Sequence, residues 1–418
     1  MSNIKTLPFD YSKLKDIVRR YPTPFHIYDE KAIRENARGF NAAFAWAPGF
    51  RNCFAVKACP NPRIMKILAE ENMGADCSSL PELILSEAIG LSGDEIFFSS
   101  NNTPLEEYRK AKQIEAIINL DDITHLDYLE QIGLPDSLSF RYNPGPAKAG
   151  NSIIGKPEEA KYGLTREQMF TAYSQALEKG VKRLGIHTMV ASNELNADYF
   201  IETAALMLEL IADITQKTGA AIEFVNFGGG IGIPYKPEDS PVDIQAVSRG
   251  IEKLYTEHIL NKSLKAPSIY FECGRVITGP YGYLVTKAIH EKHTYKEYIG
   301  VDASMADLMR PAIYGAYHHI TVMGKENAPA ECSYDIVGSL CENNDKFAIN
   351  RALPSIDTGD ILVIHDTGAH GRAMGFNYNG KLRAGELLLR ENGEVEEIRR
   401  RETLADYFST LNYPGLKG

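Results

Sequence analysis

The sequence predicts an α/β protein, a TIM-like (β/α)8 barrel joined to a C-terminal all-β domain. Three observations predict it. The chain has 418 residues, enough for about two or three domains, or for one large α/β barrel with an appendage. From about residue 50 to residue 275, strand-like and helix-like periodicities alternate about eight times. Beyond residue 285 the helical period gives way to short apolar runs separated by turns.

The elements follow in order. "RNCFAV" reads as a buried strand, and "PRIMKILAEEN" as a helix with Ile64, Ile67 and Leu68 on one face and Gly74 as its stop. "GADCS" precedes the helix "LPELILSEAIG", and "EIFFSS" precedes "PLEEYRKAKQI", an acid-rich solvated face. "AIINL" leads to "DDITHLDYLEQIG", and "SLSFRYN" to the helix around "REQMFTAYSQALEKG". "RLGIHTMV" leads to the long helix "ADYFIETAALMLELIADITQKTG", followed by "IEFVNFGGG", another helix and "SIYFECGR". A doubly wound sheet also alternates, but the strand count and the lack of a GxGxxG run after any strand favour the barrel. The β-rich segments "YLVTKAIHEK", "EYIGVDA", "HHITVMG", "SYDIVGS", "DILVIHDTG" and "AGELLLRENG" come next. "TPFHIYD" is a strand candidate ahead of the first barrel helix, "KAIRENARGFNAAF". The barrel is therefore placed at residues 31–285, and residues 1–30 with 286–418 in the β-rich domain.

The bulk properties exclude several classes. Hydrophobic residues at 44% and charged residues at 24% are ordinary for a globular chain. A net charge of −10 with no Lys/Arg stripe argues against a nucleic-acid partner. "YFIETAALMLELIADI" is too short and too charged to span a membrane. The N-terminus has no signal-peptide h-region, and none of the six cysteines forms a CxxC pair. A cytoplasmic protein with reduced cysteines is expected.

In a barrel, the C-terminal ends of the strands form the active-site face. Lys57, Asp76, Asn119, Arg141, His187, Gly228 and Glu272 each fall at or just past such an end. Lys57 is the oddest, an ammonium closing the apolar run Phe54, Ala55 and Val56. A lysine there can bind an anion or form a Schiff base with a carbonyl. Its apolar surroundings are expected to lower its pKa and free the lone pair. Gly228, Gly229 and Gly230 offer backbone N–H groups that can approach a phosphate. Glu272 in "FECGR" can keep a pyridine nitrogen protonated, which makes the ring an electron sink. Lysine, glycine cradle and carboxylate together describe a site for pyridoxal 5'-phosphate (PLP), with Lys57 as its covalent anchor.

At this point "FAVKACPN", "DCSSLPEL", "FGGGIGIPY", "ECGR", "DLMRPAIYGAYHHI", "GSLCENND" and "HDTGAHG…NYNGKLRAGELLL" resemble the diaminopimelate decarboxylases. These belong to the fold-type III, alanine-racemase-like PLP enzymes. The resemblance covers nearly the whole chain and implies a homodimer with shared active sites. The implied reaction releases CO2 from the D-centre of meso-2,6-diaminopimelate to give L-lysine, the last step of lysine biosynthesis. It makes Lys57 the cofactor lysine and Glu272 the partner of the pyridine nitrogen. It assigns Gly228, Gly229, Gly230, Ser192 and Arg275 to the phosphate and cofactor, together with Asp76, Met189, His370 and Tyr378. Cys341 matches the family's proton donor, and Glu342 the acid for the distal ammonium. Arg310 and Tyr314, with Arg275, match the distal carboxylate site, and His370 also faces substrate. A guanidinium fork suits a carboxylate and an acid suits an ammonium, so a substrate that is an amino acid at both ends needs both.

The chain departs from the family pattern at three places. "TMVAS" puts Met189 where the family's "HIGS" histidine stacks on the cofactor ring, with His187 matching the histidine two residues earlier. A thioether can also pack on a ring. His370 in "GAHG" replaces a tyrosine, and "CENND" replaces "CESGD". His318 and His319 lack acids or cysteines at ligand spacing, so core or interface histidines and no metal site are expected. Cys53, Cys59, Cys77, Cys273 and Cys332 read as small buried residues. Glu272 argues against a racemase, which would want an arginine at the ring nitrogen. The β-rich half argues against a non-catalytic PLP carrier. A decarboxylase of D-ornithine, D-lysine or a carboxy-amine substrate is the alternative.

Overall fold

Strand β1 (Phe25–Asp29) belongs to the β-rich part of the chain, and the next eight strands close into a barrel. The computed structural model describes residues 5–150 and 155–416. They fall into two units. Arg34–Ile233 with Pro241–Ile277 make the barrel unit; residues up to Ile33, Pro234–Ser240 and those from Thr278 onward make the β-rich unit.

The barrel strands are β2 (Arg51–Ala55), β3 (Gly74–Cys77), β4 (Ile96–Phe98), β5 (Ile117–Leu120), β6 (Ser137–Arg141), β7 (Arg183–His187), β8 (Ile222–Asn226) and β9 (Ser268–Phe271). Each pairs in parallel with the next, and β9 returns to β2. These are the eight runs expected from the sequence, in the same order. Cys53, Phe97, Ile117, Phe224 and Tyr270 pack together inside. Gly185 is required there, because a Cβ would lie 1.9 Å from the Phe224 ring. The register aligns polar strand ends, Asn119 with Ser139 and His187 with both Arg141 and Asn226, and sets Asp76 beside Ala55, the residue two before Lys57.

The helices follow local signals. Pro62 opens the helix Pro62–Glu70, where its missing N–H costs nothing, and the Asn61 side chain caps it by accepting from Arg63 N–H. Asn196 caps Ala197–Thr218 in the same way, and Gly219 ends it at φ +76°.

In the β-rich unit the remaining strands are β10 (Gly282–His293), β11 (Glu297–Val301), β12 (Ile320–Val322), β13 (Cys332–Val337), β14 (Lys346–Leu353), β15 (Ile361–Ile364), β16 (Gly385–Leu389) and β17 (Val395–Arg399). The sheet runs β14-β13-β11-β10-β1-β16-β17, and β15 joins β10 to β12. The first half of β10 pairs with β1 and β15, its second half with β11. Two apolar clusters hold the unit, one around Leu284, Val301 and Phe347, the other around Phe25, Ile27 and Val363.

The second cluster also buries Leu14 and Ile17 of a helix, Tyr11–Arg20, that the sequence reading did not include. Its signals are an Asp10 cap accepting from Lys13 N–H and Arg19 and Arg20 in the last turn, where they suit the helix dipole. Cys332 is only partly buried, unlike the expectation, because it starts β13 ahead of the stretch paired with β11, which begins at Tyr334; Cys53, Cys59, Cys77 and Cys273 are buried. No described helix is long and apolar enough to cross a membrane.

Candidate active site

The barrel mouth collects Lys57, Asp76, Met189, Ser192, Gly228, Gly229, Gly230, Glu272 and Arg275, all from the barrel unit. Lys57 lies in a short 3-10 turn, Val56–Ala58, directly after β2, with its side chain 50% exposed. Its Nζ stands 3.7 Å from Asp76 Oδ2. Asp76 Oδ1 accepts from the Ser99 hydroxyl, while Oδ2 is buried without a hydrogen-bond partner among the described residues.

Glu272 is better satisfied. Its Oε1 accepts from Asn226 Nδ2 at 2.8 Å, and its Oε2 faces His187 Nε2 at 3.1 Å. The two carboxyl groups consequently differ. Burial and the nearby Glu272 charge push Asp76 well above the usual carboxylate range, against the pull of Lys57. Burial acts in the same direction on Glu272, but His187, Lys57 and Arg141 outweigh it and hold the group below its ordinary value. Such divergence between neighbouring carboxyls is how one site keeps separate proton tasks.

The expectation for the charge of Lys57 is corrected. Desolvation does act to lower its pKa, but the carboxylates of Asp76, Glu272 and Glu82 overcome it and raise the pKa above the ordinary amine value. An apolar strand end was visible in the sequence; the carboxylates that act on it come from β3, from just past β9 and from the helix Leu80–Ala88.

The glycine run is shaped by its neighbours. A Cβ on Gly228 would lie 2.2 Å from Thr188 O, on Gly229 2.4 Å from Glu272 O, and on Gly230 2.4 Å from Ala191 O. Gly228 and Gly230 also have φ of +73° and +94°. Gly229 N–H points at Met189 Sδ at 3.1 Å. A thioether is a weak acceptor that a phosphate oxygen would displace. Ser192 is half-buried in the loop after β7, and Arg275 opens the short helix Arg275–Thr278 after β9.

The remaining predicted residues lie in the β-rich unit. Arg310 and Tyr314 begin and end the helix Arg310–Tyr314; Arg310 is 3% exposed and Tyr314 53%. His318 Nδ1 lies 2.8 Å from the His365 carbonyl, so Nδ1 carries the hydrogen and Nε2 is left to accept from Arg310 Nη1 at 2.9 Å. The guanidinium also lies 4.5 Å from the centre of the Tyr235 ring. His318 is thus a buried histidine with both nitrogens engaged.

Cys341 and Glu342 are exposed on the loop between β13 and β14. Buried Asp345 fixes that loop by accepting from Met305 N–H at 2.7 Å and Leu340 N–H at 2.8 Å. Glu342 Oε1 accepts from Asn344 N–H at 3.1 Å. Cys341 N–H donates to Asn379 Oδ1 at 2.7 Å, which brings this loop beside exposed Tyr378. His370 is partly buried with φ +56°, a left-handed conformation that histidine tolerates better than most residues.

Sequence reasoning missed Ser99, Asn226, Tyr235 and Asn379. Asn226 had a signal, as the last polar residue before the glycines in "FVNFGGG". The other three sit in loops or strand ends whose partners are distant in sequence.

The mouth fits a cofactor with a phosphate, a carbonyl carbon and a ring nitrogen. A half-exposed amine, a glycine turn closed to any Cβ, a weakly engaged N–H and an ionised carboxylate stand together there. The comparisons agree. Residues 30–279 match the pyridoxal-binding domain of the pyridoxal-dependent decarboxylases. Protein TabA of Pseudomonas amygdali pv. tabaci is 42% identical over 400 residues, covering 96% of this chain and 94% of TabA. Diaminopimelate decarboxylase of Methanothermobacter thermautotrophicus is 35% identical over 405 residues, covering 96% and 94%. The crystal structure of diaminopimelate decarboxylase from M. jannaschii with L-lysine superposes with a TM-score of 0.89 at 29% identity, covering 96% and 94%. The chain belongs to the pyridoxal-dependent decarboxylases of fold type III. It is a carboxy-lyase, and its cofactor is PLP.

Proposed function

We propose that the protein decarboxylates meso-2,6-diaminopimelate at its D-centre to give L-lysine and CO2, the last step of lysine biosynthesis. The observation that carries this reading is Arg310, a buried guanidinium held by His318 and stacked on Tyr235. A cation so oriented suits a second carboxylate on the substrate, which a simple diamino acid lacks. The relatives named diaminopimelate decarboxylase support the same substrate.

When bound, the cofactor supplies the electron sink for the pair left by departing CO2. Lys57 would hold it covalently, Glu272 would accept from its ring nitrogen, and Gly228, Gly229, Gly230, Ser192 and Arg275 would take its phosphate. Met189 would pack against it, and Asp76, His370 and Tyr378 would also contribute to its site. Arg310, Tyr314 and Arg275 bind the distal carboxylate, and Glu342 binds the distal ammonium. Cys341 delivers a proton from Sγ to the carbon that has lost CO2. In this reading the protein is a homodimer, and exposed Cys341, Glu342 and Tyr378 serve the barrel of a second copy. Exposed Ile313 and Tyr314 suit such a covered surface.

A second reading is decarboxylation of a related diamino acid. It is favoured by the higher identity to TabA, whose name carries no substrate, and by Met189, His370 and the Asn343–Asn344 pair. Lysine and CO2 release from meso-diaminopimelate, measured beside D-lysine, D-ornithine and L-ornithine, separates the two. Turnover of D-ornithine or D-lysine with no turnover of diaminopimelate would overturn the first.

A further inference from the structure

Behind Glu272 lies a row of buried polar side chains from successive barrel strands. Ser139 of β6 is 0% exposed, Asn119 of β5 1%, His187 of β7 1% and Asn226 of β8 0%. The Ser139 hydroxyl donates to Asn119 Oδ1 at 2.7 Å. With its oxygen so engaged, Asn119 presents Nδ2 to His187 Nδ1 at 3.4 Å. An amide nitrogen only donates, so Nδ1 is the accepting nitrogen and carries no hydrogen. The imidazole hydrogen is therefore on Nε2, which faces Glu272 Oε2 at 3.1 Å.

We propose that Ser139, Asn119 and His187 form a one-way hydrogen-bond relay that keeps Glu272 ionised and oriented, with His187 acting as an uncharged Nε2–H donor. Every donor in the row points towards Glu272. His187 is a positioning residue that acts on the cofactor only through that carboxylate, so this inference rests on the reading that Glu272 meets the ring nitrogen. Asn226 donates to the other oxygen, so both are held from behind by neutral groups. The charged and titratable groups around the pair are Lys57 and Arg141 at Glu272, Asp121 at His187, and Asp76 nearby. A donor relay without a charge of its own keeps the carboxylate constant where an imidazolium would titrate.

Two measurements on the holoenzyme test this. The first is 15N NMR of histidine-labelled protein, with His187 assigned by its loss in His187→Gln. One protonated and one bare ring nitrogen are expected between about pH 6.5 and 8.5. Two protonated nitrogens would mean that the Asn119 amide is reversed and that His187 is an imidazolium, which overturns the relay. The second uses PLP labelled with 15N in its ring. His187→Leu and Asn119→Leu should move the ring nitrogen towards its unprotonated shift and weaken PLP binding to the apoenzyme about tenfold or more, as for a lost charge-assisted hydrogen bond. His187→Gln, whose amide can accept from Asn119 and donate to Glu272, should restore both. An unchanged ring nitrogen in His187→Leu and Asn119→Leu overturns the proposal. Glu272→Gln distinguishes the two failures: if it moves the ring nitrogen and they do not, only the relay is wrong. If Glu272→Gln leaves it unmoved, the Glu272 assignment and the relay's action on the cofactor fall together.

Discussion

Asn226 ties Glu272 to Gly228. One end of its amide donates to Glu272 Oε1 at 2.8 Å, and the other accepts from Gly228 N–H at 2.8 Å. The carboxylate assigned to the ring nitrogen and the first glycine assigned to the phosphate are thus held at a fixed separation. Asn226→Asp removes the donor and sets a second carboxylate against Glu272. Binding of PLP to the apoenzyme, followed by absorbance, should weaken at least about tenfold for the loss of a bond to a charged group. Undiminished affinity would show that the two ends of the site are not coupled through this residue.

Lys57 must lose a proton before its amine can attack a carbonyl. Because Asp76 and Glu272 raise its pKa, the free-amine fraction at neutral pH is lower than for an ordinary lysine. The rate of covalent PLP capture by the apoenzyme should therefore climb as pH rises through neutrality. Asp76→Asn removes a raising carboxylate 3.7 Å from the amine and should shift that profile to lower pH. Borohydride trapping followed by peptide mapping should find the label on Lys57. An unmoved profile in Asp76→Asn, or label on another lysine, would refute the assignment.

Arg310→Lys keeps the charge but loses the fork that His318 and Tyr235 orient. The expected loss for diaminopimelate is about 2–5 kcal/mol in kcat/KM, and smaller for a substrate lacking the distal carboxylate. Equal losses for the two substrates would remove Arg310 from the distal site.

Mixing Lys57→Ala with Cys341→Ala, under conditions that exchange subunits, tests the shared site. A site built from two copies gives some mixed dimers with one intact centre, so activity should exceed that of either variant. No recovery, with exchange demonstrated, would place Lys57 and Cys341 of each site in one chain.

His26 provides a stability prediction for the β-rich unit. It is 0% exposed, and its Nε2 lies 3.2 Å from the Asp307 carbonyl. Burial lowers its pKa from 6.5 to about 4. The folded state thus resists protonation that the unfolded chain accepts. Its contribution is complete above about pH 6.5 and is lost as pH falls towards 4, on the order of 3 kcal/mol in all. Asp307 and Asp366, raised to about 6 by burial, act in the opposite direction as pH falls. The comparison with His26→Gln isolates the histidine: urea unfolding should show the stability gap between wild type and variant shrinking from pH 7 to pH 5. A gap independent of pH would mean that His26 is not protonated on unfolding.

The sequence by itself determined the order of the barrel strands, the β-rich half and the residue types at the strand ends. Burial on one side of a strand or helix is written as a local period of apolar residues, and caps such as Asn61 and Asn196 act within a few positions. Lys57 stood out for the same local reason, as a charge closing an apolar run. The helix Tyr11–Arg20 carried a local signal too, in Asp10, Leu14 and Ile17. Tertiary structure decided what the polar side chains do to one another. His187 and Glu272 are 85 residues apart, and Asn226 and Glu272 are 46 apart. Their hydrogen bonds exist only because strand register brings β7, β8 and β9 side by side. The raised pKa of Lys57 has the same origin, since Asp76 lies on β3 and Glu272 just past β9. A local apolar run predicts desolvation, whereas the charge that outweighs it arrives through space.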